Sequence, residues 1–286
     1  MEHLHIFRAD WNYKEISELE LQGIRIDENG IFQIQSNKKA VKIFRKFEGA
    51  KNFYHRKAKA VFSMKELSVD TLMLCNTGPN MVNSAQFNTD DDGYDYLRFA
   101  FGEICKSCNN IPKGEQIKPI TLAKEPKLSK KYIWGSFNGV SGYLFTDKSR
   151  YKLLKDKWGL KSIDLLIGKN QKPSDNFVQL DIPISNSALC FGDSNFGNTF
   201  KIDGSGQISE SIINCDECNR SLYTNQLLDY FPSFKEQHKF DIVFTQEWFG
   251  WYRRVILNKD FAKWLNENNF IKFDSDYLVP IKKFCK

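Results

Sequence analysis

Several features that would place the chain in a familiar functional class are missing from its sequence. No run of apolar residues approaches the roughly 18 that a membrane-spanning helix requires, which excludes an integral helical membrane protein. The opening residues, Met1-Glu2-His3-Leu4-His5-Ile6-Phe7, have neither the basic start nor the long apolar stretch of a secretory signal. No Pro-rich or Gly/Ser-rich linker divides the sequence into domains. Catalytic signatures are equally scarce: His-Glu-x-x-His, a Walker loop and Gly-x-Ser-x-Gly are all missing. Gly204-Ser205-Gly206 lacks the third glycine of a dinucleotide fingerprint and reads as a turn. Only four histidines occur, His3, His5, His55 and His238, so imidazole chemistry has few places to act. His3 and His5 alternate along an expected strand with no carboxylate nearby to complete a metal site, and His238 reads as solvated. The expectation is a protein that is not an enzyme.

Aromatic residues are plentiful. Twenty-four Phe, 11 Tyr and 6 Trp supply ample surface for a core and exclude a disordered chain. At 286 residues the length allows one large domain or two ordinary ones. The net charge of +6 is unevenly spread. Lys38 to Lys59 holds nine Lys/Arg against one Glu, Ile111 to Lys172 holds fourteen against five acids, and the remainder is acidic. Such asymmetry steers a charged partner or reflects solvated helix faces.

The first hundred residues read as mixed, with more strand than helix. Ile24, Ile26, Asn29-Gly30, Ile31 and Ile34 form a hairpin pattern. Ser36 or Asn37 then caps a helix with Val41, Phe44 and Phe47 on one side, ended by Gly49. Ser63 to Glu66 reads as a capping box or short turn before the apolar Leu72-Met73-Leu74. The boundary is expected just before Cys105, giving an N-terminal α+β portion over 1–104 and a second portion over 105–286.

The second portion repeats itself at a spacing of about 110 residues. Cys105-Lys106-Ser107-Cys108-Asn109 recurs as Cys215-Asp216-Glu217-Cys218-Asn219. Phe145-Thr146-Asp147-Lys148 recurs as Ile256-Leu257-Asn258-Lys259, in each case an apolar strand meeting a good helix N-cap. Each helix reaches a residue tolerant of the left-handed conformation, Gly159 or Asn269, before a further strand around Ile163 or Phe273. The expected units span about 105–170 and 215–281.

The two Cys-x-x-Cys pairs are the most specific chemical signal. Two intervening residues let both thiolates face one ion from a tight turn, and Asn109 and Asn219 follow where a left-handed residue is often needed. Cys105, Cys108, Cys215 and Cys218 would complete a closed tetrahedral zinc site with a structural role. A redox pair, an iron–sulfur cluster and metal-free cysteines are the alternatives. Cys75, Cys190 and Cys285 read as incidental or buried thiols.

Trp248, Phe249, Trp251 and Tyr252 lie beside Arg253-Arg254, a cluster suited either to core packing or to a partner surface. Trp134, Trp248, Phe249, Trp251, Arg253 and Arg254 are therefore the candidate partner-binding residues.

Taken together, the paired cysteines, the Trp-rich strands and the strand–Asn258–helix–strand ending resemble the bacterial double-CxxCG motif proteins. They also resemble related immunity-protein domains of polymorphic-toxin systems. The resemblance covers about Cys105 to Ile281, with Asn109 and Asn219 standing where the motif has Gly. It implies a cytoplasmic bacterial protein that binds zinc and neutralises a cognate toxin by direct contact. The alternative is a zinc-containing nucleic-acid-binding protein using Lys38–Lys59 and Lys124–Lys131. The fold class expected is α+β, with duplicated strand–helix–strand units joined by a zinc-ribbon-like site of four cysteines.

Overall fold

The computed structural model describes residues 1–75, 81–82, 100–105, 111–112, 115–128, 134–137, 140–191, 199–202, 208–211, 213–215, 217–218, 220–223, 229–249 and 252–283. Its class is α+β. The first unit runs β1 (Glu2–Arg8), α1 (Tyr13–Leu21), β2 (Ile31–Gln35), α2 (Asn37–Phe47) and β3 (Tyr54–Val61). Its antiparallel sheet has the order β2-β1-β3. Asn12 opens α1 with a capping box, accepting from the Glu15 amide while the Glu15 carboxylate accepts from its own. Ser36 caps α2 as expected, accepting from the Lys39 amide at 3.2 Å. The buried face of α2 is Ala40, Ile43 and Phe47, so of the three residues expected there only Phe47 is buried. That face packs on Phe7, Phe32 and Ile34, covering one side of the sheet.

The expected Asn-Gly hairpin is only a turn. Asp27 Oδ1 accepts from the amides of Asn29 and Ile31, fixing the bend, but residues 24–27 form no strand. Gly30 has φ +73, and a Cβ there would stand 2.5 Å from the Ala9 carbonyl oxygen, so both backbone and space require glycine.

The rest of the chain builds one core over two sheets. In chain order it contains β4 (Thr71–Leu74), β5 (Met81–Val82), β6 (Ile104–Cys105), β7 (Ile111–Pro112), β8 (Thr121–Leu122), β9 (Trp134–Phe137) and β10 (Val140–Asp147). There follow α3 (Lys148–Trp158), β11 (Lys161–Ile167), β12 (Lys172–Asp181), β13 (Thr199–Ile202), β14 (Ile208–Ser211), β15 (Ile213–Cys215) and β16 (Arg220–Tyr223). The chain closes with β17 (Phe231–Pro232), β18 (Ile242–Phe249), β19 (Tyr252–Asn258), α4 (Lys259–Glu267) and β20 (Leu278–Lys282).

The two sheets share one plan. The first has the order β5-β9-β10-β12-β11-β8, and the second contains β16-β18-β19-β4-β20-β17, with β15 added outside β16. In both, the outer pairs are parallel and the four central strands antiparallel. Asp147 and Asn258 are the N-caps of α3 and α4, accepting from the amides of Arg150 at 3.0 Å and Phe261 at 2.7 Å. Gly159 and Asn269 both have positive φ just beyond their helices. The inserted central strand is exchanged between the sheets. β12 follows the first unit and completes its sheet, whereas the matching place in the second sheet is filled by β4 from far upstream.

Two expectations change as a result. The boundary before Cys105 does not coincide with a break in the sheets, because β4 lies between β19 and β20. The last strand begins at Leu278 rather than near Phe273. Phe270 and Ile271 are drawn out of any ladder into the core, where Phe270 packs on Trp134 at 5.5 Å and Trp264 at 5.8 Å. The helices meet through Trp158, edge-on to Phe261 at 5.0 Å. The N-terminal unit is tied to this body by Lys59–Asp276 and by the Met1 amino group on Glu66. Glu66 also accepts from Tyr230 and from the amide and hydroxyl of Ser63. Partial burial pushes its carboxyl up, but these donors outweigh that push and hold it down at about 2.

Candidate metal centre

The two cysteine segments sit on two short hairpins. In the first, β6 pairs antiparallel with β7, placing Cys105 opposite Ile111. In the second, β15 pairs with β16, placing Cys215 opposite Arg220, with Cys218 in the intervening turn. Two strand pairs from positions 110 residues apart thus bring Cys105, Cys215 and Cys218 together. Cys105 Sγ lies 3.5 Å from Cys215 Sγ, and the sulfurs of Cys105, Cys215 and Cys218 all lie within 4.8 Å of one another. None of the three is disulfide-bonded; Cys105 and Cys215 are buried and Cys218 half-buried. Cys108 lies outside the described residues.

These distances fit a metal. Four sulfurs placed tetrahedrally at about 2.3 Å from Zn²⁺ stand roughly 3.8 Å from one another. A cluster of largely buried thiols at this spacing therefore has the donor chemistry of a thiolate metal site, and the three cysteines can hold a metal ion. The indole of Trp248 packs against the sulfurs and is 3% exposed. On Trp248 rests the Arg253 guanidinium, 5.0 Å from the ring. Arg253 is itself fixed by donating from Nη1 to the carbonyls of Thr245 and Gln246 at 2.8 and 2.6 Å. A cation held behind the indole helps to balance the excess negative charge that thiolates bring to a divalent ion.

No family model, curated protein or solved structure matches the chain.

The residues proposed as partner anchors lie inside the molecule. Trp134 and Phe249 have no exposed surface; Trp134 packs on Phe270, and Phe249 on Phe231 at 5.4 Å and Tyr223 at 5.6 Å. Arg253 and Arg254 are also buried, with Arg254 lying 5.7 Å from the Phe249 ring. Trp134 sits on β9, Phe249 on β18, and Arg253 and Arg254 on β19, all interior strands of the two sheets. These four side chains and Trp248 offer no surface to a partner; Trp251 lies outside the described residues. The role the sequence concealed is that of Trp248, which covers the cysteines. Its signal was position, on a strand whose neighbour β16 carries the second cysteine hairpin.

The remaining cysteines divide. Burial pushes the Cys75 thiol up to about 12, with the Arg254 charge opposing, which leaves it unreactive. Cys190, expected as an incidental thiol, is disulfide-bonded, and its bonding partner lies outside the described residues. The histidines are not surface groups either. His5 Nδ1 meets His55 Nε2 at 2.9 Å, and His5 Nε2 and His3 Nδ1 meet Asn37 Oδ1 at 3.0 and 3.3 Å, on the helix-covered face. His238 is half-buried between Phe234 and Phe240, with Nε2 3.3 Å from Ser185 Oγ. Ser185 is itself buried and already bonded to Ser187. The pair therefore staples a loop and exposes no nucleophile. Among the described residues, no helix is long and apolar enough to cross a membrane.

Proposed function

We propose that the chain is a zinc-stabilised binding protein of immunity type, which neutralises a cognate toxin by direct contact and performs no turnover. The observation that carries the metal half is the convergence of Cys105, Cys215 and Cys218 from two matching hairpins. With Cys108, three residues beyond Cys105 in the sequence, as fourth ligand, the site is closed. Four thiolates under an indole leave no position for water, so the ion acts as a cross-link between the two halves of the repeat. The toxin half of the reading rests on the double-CxxCG resemblance, and its interface must lie outside the buried anchors described above. The reading implies a bacterial cytoplasm, and the Cys190 disulfide argues against that setting, since the cytosol keeps thiols reduced.

Elemental analysis of protein purified without chelator is expected to give one zinc per chain. Cobalt substitution is expected to give the visible bands of a tetrahedral thiolate site, and Cys215→Ser to abolish both. After zinc removal, four of the seven thiols should react in the folded protein, because Cys190 and its partner are bonded and Cys75 is buried, and a fifth should appear in denaturant. Metal-free protein with all seven thiols reactive would overturn the site. The binding half is tested by co-expression with the product of the neighbouring reading frame. Growth rescue and a co-purifying complex are expected, and a neighbour that is neither toxic nor bound would sink the immunity reading.

A further inference from the structure

The sheet of the N-terminal unit has one face under α1 and α2 and the other open. Cross-strand register sets Ile6 between Gln33 and Arg56 on the open face, and Arg8 between Ile31 and Tyr54. A groove of about 620 Å³ runs over these side chains and ends at Asp10 and Asn52. Ile6 and Ile31 form an apolar floor. Arg8 and Arg56 are exposed, and among the described residues neither makes an ion pair or side-chain hydrogen bond. Tyr54 is 49% exposed, and its ring meets no other aromatic ring among the described residues. At the end of the groove Asn52 Nδ2 donates to Asp10 Oδ2 at 2.7 Å, leaving a carboxylate with further acceptor capacity.

We infer that this open face binds single-stranded RNA. Two unpaired guanidiniums on neighbouring strands can each take a phosphate or stack on a base, and an exposed Tyr between them is a stacking platform. Paired bases cannot present their faces to Tyr54, so a duplex gains only the charge term. The ribose hydroxyl is a donor that DNA lacks, and Asp10 is the acceptor placed to receive it. The groove itself carries Arg8 and Arg56 against Asp10, and the five Lys/Arg of α2 lie over the other face, where they add only a long-range field that attracts a polyanion. RNA binding on this face depends on neither the metal nor the immunity reading.

The test is fluorescence anisotropy with the full chain and a labelled short oligouridylate, at about 50 and about 200 mM salt. Tyr54→Ala is expected to weaken binding roughly tenfold or more, with Tyr54→Phe close to wild type. Arg8→Gln with Arg56→Gln should reduce the salt slope by about 1 to 2. Lys42→Gln with Arg45→Gln, on the exposed side of α2, should change affinity without removing the Tyr54 effect. Circular dichroism checks that each variant is folded. The inference is overturned if no RNA binding is seen at low salt, or if Tyr54→Ala binds as well as wild type. It is equally overturned if the matching oligothymidylate, a duplex or anionic phospholipid vesicles compete as well as RNA.

Discussion

His5 and His55 show how a buried polar contact sets a pH limit. The chain from Asn37 Oδ1 through His5 to His55 is satisfied when both rings are neutral, with His5 Nε2 donating to Asn37 and His55 Nε2 donating to His5 Nδ1. Burial, with the nearby His5 and Lys57, lowers the His55 pKa from its ordinary 6.5. The unfolded chain therefore takes up a proton before the folded one does, and stability falls as pH drops below about 6.5. Urea midpoints should be level above that pH and decline below it. His55→Phe, which keeps the ring packed near Phe7, should flatten the decline. Glu66 acts in a lower window. Its carboxyl is held at about 2 against an ordinary 4.5, so its contribution is complete above 4.5 and disappears on descent towards 2. Glu66→Gln should remove that second slope and leave the first, and a single unchanged slope in both variants would contradict these assignments. The alternation of His3 and His5 was legible in the sequence. That their face is the covered one was not, because it depends on α1 and α2 folding back over β1.

The four N-caps are the best example of structure written locally. Asn12, Ser36, Asp147 and Asn258 each accept from the amide three residues on, and three of the four were readable from polar residues preceding apolar spacing. Asn258 does more than cap. Its Nδ2 donates to the Phe240 carbonyl and to Asp241, fixing the start of α4 against the loop before β18. Asn258→Ala is expected to cost about 1–2 kcal/mol, with Asn258→Ser recovering part of it through the cap alone. Chemical denaturation measures both, and equal losses would show that the cap contributes nothing. Strand ends were less legible than helix starts. Phe270 to Phe273 has the composition of a strand, yet Phe270 and Ile271 fill a core space beside Trp134 and Trp264. A ladder position and a core socket favour the same residue types, and only the distant partner decides between them.

At the scale of the molecule, the repeat was visible as cysteine hairpins and helix junctions at a constant spacing. The exchange of β4 and β12 was not. Leu72-Met73-Leu74 reads as a strand anywhere, and nothing local assigns it to β19 and β20. A fragment beginning at residue 105 therefore lacks a central strand of its second sheet and leaves the edges of β19 and β20 unpaired. It is expected to aggregate, or to unfold without a cooperative transition in calorimetry. A fragment beginning at Ala60, which keeps β4 and the core residue Phe62, should retain a single transition. A soluble, cooperative 105–286 fragment would show that the exchanged strand is dispensable.

The same exchange bears on how the protein is made. β4 leaves the ribosome about 180 residues ahead of the strand it pairs with, since Met73 lies opposite Ile256. At translation rates of about 5–20 residues per second, that is a wait of roughly 10–40 s. During that interval its apolar side chains have no ladder partner and must be shielded by chaperones or by transient collapse. The core can close only when translation is nearly over, so a ribosome that stalls between the two repeats releases a chain that cannot fold.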